Sequence, residues 1–142
     1  MITELPIPKE LTSLLELGLW PRDPKEASSQ NLRPWIPESS VRRFAPGEST
    51  VYFYPPPFAK VRNQLNGTNR FWADPRSAVQ EINPDLTILI GDFGLGSDAP
   101  IALDYRERGD EPRVIRLRWA SEGNHWIQVA PTFAAFAAQL WI

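Results

Sequence analysis

The sequence contains no cysteine and one histidine, His125, among its 142 residues. Without cysteine the chain can form no disulfide, thiolate nucleophile or cysteine-ligated zinc site, and it suits a reducing cytosol. Any serine–histidine–aspartate triad would have to use His125. The usual catalytic combinations are therefore scarce, and we predict no catalytic, metal or cofactor site, although an enzyme of paired carboxylates, which has no positive support, stays open at this point.

Excess charge and long apolar runs are also lacking. Fifteen Lys and Arg residues against 17 Asp and Glu residues give a net charge of −2. This balance argues against general nucleic-acid binding, which needs many cationic contacts with phosphates. No apolar run is long enough to span a bilayer, and residues 1–4 do not begin a signal peptide. We therefore expect a cytoplasmic protein without a membrane partner.

The apolar content, 42% of the chain, is ordinary for a globular protein. The length suits one domain with a real core, and no repeat or linker is visible, so residues 1–142 are predicted to form a single domain. The 15 prolines fall mostly between apolar segments and punctuate an ordered, loop-rich fold.

Spacing of apolar residues predicts helices near both ends of the chain. Asp23 and Glu26 form a helix start with Pro24 at the first helical position, and Thr132 or Pro131 can start the last helix. Residues 68–86 give no readable element. The predicted helices are 8–17, 23 to near 32, 39–44, 58–65 and a closing helix with Phe133, Phe136, Ala137 and Leu140.

Strands are predicted for residues 50–54, 87–90, 101–105, 114–119 and 125–130. Residues 87–90 lack polar alternation, which suits a strand covered on both faces. The strands at 101–105 and 114–119 alternate and should each have one buried face. If Leu103 faces Ile115, Asp104 lies beside Arg116. We predict an α+β fold, mainly an antiparallel meander with helices from the two ends.

The glycine-rich stretch after residue 90 resembles two ligand motifs but completes neither. Asp92-Phe93-Gly94 matches a kinase magnesium motif, yet the other parts of that motif are missing. Gly94-Leu95-Gly96 lacks the third glycine of a dinucleotide fingerprint. The glycines are therefore interpreted as backbone residues that admit positive φ.

Asp92, Asp98 and Asp104 recur every six residues. The residues between them are partly extended, so the carboxylates should spread apart and should not converge on a metal. We expect Asp92 and Asp98 to cap backbone amides, and Asp104 to pair with Arg106 or Arg116.

Tryptophan and arginine give the candidates for protein recognition, since both are frequent in binding hot spots. Most of the six tryptophans should lie in the core, but one or two near loops could mark a surface. Five arginines between positions 106 and 118 gather around the predicted hairpin, as a solvated face or as a patch for an acidic partner. The candidate protein-binding residues are Trp72, Arg106, Arg108, Arg116 and Arg118.

Residues 91–98 and 100–106, GDFGLGSD and PIALDYR, resemble the central signature of the SUKH superfamily. That superfamily includes fungal cell-wall-synthesis regulators and bacterial toxin-immunity proteins. Residues 112–115, 126–130, the closing helix and residues 14–21 are similar to further parts of it. Residues 55–86 match no such pattern.

The resemblance implies a curved sheet flanked by helices and a non-enzymatic protein-binding module. Bacterial members typically neutralise secreted toxins, often nucleases, by direct binding in the cytoplasm. A cytoplasmic immunity protein is therefore the leading hypothesis, and a regulatory scaffold for a host protein is the alternative. A small hydrolase using Asp92 or Asp98 with His125 is a third. The signature residues are interpreted as chiefly structural: Gly91, Asp92, Gly94, Gly96, Asp98 and Asp104.

Overall fold

A five-stranded antiparallel sheet forms the centre of the molecule. The computed structural model describes residues 5–29, 36–48, 50–67, 70–93 and 99–140. Each strand pairs with the next in the chain, so the order is β1-β2-β3-β4-β5, and the predicted meander and α+β class are confirmed. The strands are β1 Val51–Phe53, β2 Thr87–Phe93, β3 Pro100–Asp104, β4 Arg113–Arg118 and β5 His125–Ala130.

The helices agree with the predicted segments. Asp23 Oδ1 accepts a hydrogen bond from the Glu26 N–H at 2.8 Å, and Thr132 Oγ1 accepts one from the Ala135 N–H at 3.1 Å, so both predicted caps are confirmed. The expected helix end near Leu32 lies outside the described residues. No helix in the described ranges is long and apolar enough to cross a membrane. The helices are α1 Lys9–Glu16, α2 Pro24–Ser29, α3 Glu38–Phe44, α4 Val61–Leu65 and α5 Phe133–Leu140.

One face of the sheet packs against α1, α3 and α5. Leu11, Phe44 and Phe136 come from these three helices and belong to one core cluster with the sheet. Trp20 stacks on Phe53 with 4.0 Å between ring centroids. Helices from the two ends of the chain therefore build this layer, as predicted. The sheet contributes Ile88, Ile90, Ile101, Leu103 and Val114.

The second face is covered by the segment that gave no readable element. Three short 3-10 turns, Arg70–Ala73, Pro75–Ser77 and Val79–Glu81, follow α4 there. Trp72 and Ile82 pack with sheet residues in a second core cluster. All residues of β3 are buried, so the expectation that β3 has one buried face is wrong. The second face of β3 is covered by the segment with the 3-10 turns, whose sequence has no helical periodicity.

The register of β3 and β4 also differs from the prediction. Leu103 pairs with Val114, and Asp104 pairs with Arg113. Leu103 therefore does not face Ile115, and a shift of one residue moves every side chain to the opposite face. Arg116 consequently lies opposite Ile101, on the face that packs against α1, α3 and α5.

Gly91 allows β1 to approach β2 closely. A Cβ atom at this position would lie 2.7 Å from the Tyr52 carbonyl oxygen and 3.4 Å from Phe53. Any side chain would push the strands apart. This contact supports a structural role for Gly91, one of the signature residues.

Candidate functional site

The structure divides the predicted arginine cluster between the two ends of β4. Arg106 and Arg108 lie in the hairpin before β4, whereas Arg116 and Arg118 lie toward its end. Arg113 and Arg118 are the first and last residues of β4, five positions apart in extended strand, a distance of about 16 Å. The single patch expected from the sequence is therefore corrected to two separate groups.

The arginines of the hairpin form ion pairs with acidic side chains. The Asp104 side chain has no exposed surface, and its Oδ2 lies 2.9 Å from an Arg106 nitrogen and 2.7 Å from an Arg113 nitrogen. Arg113 thus takes the place predicted for Arg116, because of the shifted register. Arg108 pairs with Glu111 at 2.8 Å. Contact of Arg106 or Arg108 with a partner protein stays a prediction.

Burial by itself would raise the pKa of Asp104. The hydrogen bonds from Arg106 and Arg113 outweigh that effect and lower the pKa below its ordinary value. Arg106 also donates to the Glu81 carbonyl oxygen at 3.0 Å. Asp104 therefore stays charged and holds the hairpin against the 3-10 turns, as expected of a structural signature residue.

The other end of β4 carries arginines that lack acidic partners among the described residues. Arg116 is 8% exposed, and its Nε has no hydrogen-bond partner within those residues. Arg118 is exposed and makes no ion pair within the described part of the chain. Both line a pocket of about 350 Å³, called here the Arg116 pocket. Its lining residues are Ala45, Pro46, Gly47, Glu48, Ala99, Arg116, Leu117, Arg118 and Trp119.

Trp119 is the exposed tryptophan beside this pocket, with 42% of its surface accessible. Its ring stacks against Phe71 with 6.4 Å between centroids, and the Arg76 guanidinium lies 5.8 Å from the ring centroid. These four residues, Trp119, Phe71, Arg76 and Arg118, are called the Trp119 surface. An exposed large aromatic side chain together with arginines has the composition of a binding hot spot.

Trp72 does not lie on the surface, in contrast to the expectation from the sequence. It is 4% exposed and stacks on Trp126 with 6.3 Å between centroids. The sequence could not show which of Trp72 and Trp119 is buried, because both follow segments that mix apolar and polar residues. Trp119 is exposed because β4 ends at Arg118 and the chain turns away into a loop.

A second pocket, of about 250 Å³, lies on the sheet face covered by α4 and the 3-10 turns. Aromatic side chains of Tyr54, Phe71 and Trp72 line it together with Asp92. The Asp92 Oδ1 accepts a hydrogen bond from the Ala99 N–H at 3.0 Å, which confirms the predicted backbone cap. Asp92 is therefore engaged in joining β2 to β3.

His125 pairs with Glu81, a residue that the sequence did not single out. The His125 Nδ1 lies 2.6 Å from Glu81 Oε2, and Glu81 Oε1 accepts a hydrogen bond from the Trp126 N–H at 2.9 Å. Burial disfavours the Glu81 carboxylate, but these two contacts prevail and lower its pKa. The pair fastens the last 3-10 turn to β5.

The structure does not bring together Asp92 and His125, one of the two pairs proposed for a hydrolase; Asp98, the alternative acid, lies outside the described residues. Asp92 lies in β2 and His125 in β5, so β3 and β4 separate them, a distance of about 14 Å. Asp92 in β2 pairs with Pro100 at the start of β3, whereas Asp104 is the last residue of β3, which confirms that these two carboxylates spread apart. Within the described ranges, no group of three acidic or histidine residues could hold a metal ion.

No family model matches this chain, and neither a curated protein nor a solved structure is similar to it. The resemblance to the SUKH signature therefore stays a prediction that depends on the residues themselves. Three signature residues have structural contacts, Gly91, Asp92 and Asp104. The others, Gly94, Gly96 and Asp98, lie outside the described residues.

Proposed function

We propose that this protein is a non-enzymatic binding module of the immunity type, which neutralises a cognate toxin domain by direct contact through the Trp119 surface. The observation that carries the proposal is an exposed tryptophan, Trp119, with the Arg76 guanidinium 5.8 Å from its ring centroid and Arg118 lining the same pocket. Tryptophan and arginine contribute more to binding energy than other residues at protein interfaces. The SUKH resemblance supplies the class of partner.

The charges near Trp119 favour an acidic patch on the partner. Arg76 is paired with Asp74 at 2.8 Å, but Arg116 and Arg118 have no such pair in the described part of the chain. Oppositely charged patches steer two proteins together and set their relative orientation. The proposed partner is thus a toxin domain, a nuclease being one possible class, that presents acidic side chains.

Co-expression with the toxin domains encoded in the source genome tests this proposal. We expect one toxin to be inactive when this protein is present, and Trp119→Ala to weaken the complex by about 2 kcal/mol or more, as measured by calorimetry. Leu17→Ala is the control, because Leu17 is a second exposed large apolar residue, which directly follows α1 and does not line the Arg116 pocket. Its affinity should equal that of the unmodified protein.

Two results would count against the proposal. If every toxin domain stays active, the immunity function is wrong. If a host protein binds through Trp119 while no toxin is neutralised, the scaffold alternative replaces it. Equal losses in the Trp119→Ala and Leu17→Ala variants would mean that a different surface is used.

A further inference from the structure

Arg116 is a mostly buried arginine whose Nε has no hydrogen-bond partner among the residues that the structure describes. Its side chain is more than nine-tenths buried. A buried charge without a partner destabilises a protein, so such residues are usually paired. The arginines of the hairpin follow that rule, because Arg106 and Arg113 share the Asp104 carboxylate.

Two charged groups face Arg116 in the pocket. Burial and the neighbouring Arg118 lower the Arg116 pKa, and Glu48 opposes them. No ion pair within the described residues joins Glu48 to Arg116. Among the described residues, the lining of the pocket thus has two arginines and one glutamate, an excess of one positive charge, and the pocket has room for a small group in about 350 Å³.

We propose that the Arg116 pocket receives a carboxylate side chain, aspartate or glutamate, from the protein that docks on the Trp119 surface. This inference rests on the proposed function and names the group that the site recognises. A planar guanidinium with several parallel N–H donors matches a carboxylate. Trp119 lines the same pocket, so one partner can contact both features.

The pocket favours a carboxylate over a free phosphate. Glu48 repels any entering anion, and it repels a doubly charged phosphate more strongly than a singly charged carboxylate. The excess of one positive charge matches a single negative charge. A carboxylate fixed to a docking protein also arrives already oriented, which lowers the entropy cost of binding.

Acetate and inorganic phosphate, titrated separately into the ¹⁵N-labelled full chain, test the pocket without any partner protein. We expect acetate to shift the Arg116 Nε–Hε signal in NMR spectra saturably, and phosphate to shift it less. The Nε–Hε signal that is missing from the spectrum of Arg116→Met is assigned to Arg116. The response to acetate should be absent in this variant. Arg108→Gln, at the opposite end of β4, should keep it.

The stability of Arg116→Met distinguishes a ligand-binding arginine from a structural one. Methionine retains an apolar stem and removes a buried charge without a partner, so the urea midpoint should stay equal or rise. A clear fall in the midpoint would make Arg116 a structural residue and overturn the inference. Glu48→Gln provides a second variant, which should bind acetate several-fold more tightly because the repelling carboxylate is gone.

The remaining outcomes separate this inference from the proposed function. No saturable shift with either anion, or a tighter response to phosphate, would overturn the carboxylate assignment. With a toxin partner in hand, Arg116→Met should weaken the complex at least about thirtyfold. If a toxin binds the Arg116→Met variant with normal affinity, only the role of the Arg116 pocket is wrong. If acetate binds the pocket but no toxin domain is neutralised by this protein, only the immunity function is wrong.

Discussion

Asp104 shows how one buried carboxylate organises the hairpin between β3 and β4. It accepts hydrogen bonds from the Arg106 and Arg113 side chains and from the Arg106 N–H at 3.1 Å. Both arginine side chains are partly exposed to water, whereas the Asp104 carboxylate is fully buried. The carboxylate is therefore the group that most needs these hydrogen bonds to stay charged. The cluster fixes Asp104 opposite Arg113 and with it the register of the two strands.

Asp104→Asn should lower the free energy of unfolding by about 2 kcal/mol, because hydrogen bonds to a buried charged group are lost. Urea denaturation followed by tryptophan fluorescence measures the change. Asp110→Asn, an exposed position in the same hairpin, is the control and should stay close to the unmodified protein. Equal stability of the two variants would show that the Asp104 cluster contributes nothing.

The same carboxylate makes stability depend on pH. Folding lowers the Asp104 pKa below the ordinary value of 3.8. Its stabilisation is therefore complete above that value and is lost as the pH falls through the lower, folded value. Asp104→Asn should lose less stability than the unmodified protein between about pH 5 and pH 2. Parallel losses in both proteins would assign the acid sensitivity to other groups, such as Glu81.

The close contact between β1 and β2 depends on Gly91, and Gly91→Ala should destabilise the fold by about 1–3 kcal/mol, since the added methyl group would collide with the Tyr52 carbonyl oxygen. Thermal or urea denaturation measures this loss. Gly109→Ala is the matched control, because a Cβ at Gly109 meets nothing within 4 Å. A native-like Gly91→Ala variant would contradict the structural role of this signature residue.

The segment of 3-10 turns is held by specific hydrogen bonds to the start of β5. Trp126 Nε1 donates to the Ser77 carbonyl oxygen at 2.9 Å, and Asn124 Nδ2 donates to the Arg76 carbonyl oxygen at 2.8 Å. These contacts position Phe71 and Arg76 beside Trp119. The Trp119 surface is thus assembled from two segments about 45 residues apart in the chain.

Although the net charge of the chain is −2, the described residues that line the Arg116 pocket carry more positive than negative charge. If this end meets an acidic partner, association should slow as salt is added, because salt screens exposed charges. Arg118→Gln should slow association at low salt and weaken its salt dependence. Stopped-flow or surface binding kinetics measure both effects.

Arg62→Gln is the control for this measurement, because Arg62 lies on α4 and is already paired with Asp85. An equal change in both variants would indicate a general effect of net charge. A partner whose association rate does not respond to salt would not use the arginines at this end.

The amino-acid order was sufficient to predict the five strands, their antiparallel order and the helices near both ends of the chain, but not the 3-10 turns within residues 70–81. Asp23 and Thr132 cap helices through neighbours three residues away, and residues 87–90 are continuously apolar because both faces of β2 are covered. Asp92 likewise caps a nearby amide. Such features depend on contacts close in the chain or on a simple periodicity, so local sequence is enough to identify them.

Three features could be determined only from the tertiary structure. They are the register of β3 against β4, the burial of Trp72 and the exposure of Trp119. Each depends on contacts between distant segments: Asp104 with Arg113, and Trp72 with Trp126 across the sheet. Arg116 looks like any strand arginine in the sequence. Its isolation becomes visible only when the 45–48 loop and the end of β4 close around it, because burial is a property of three-dimensional packing.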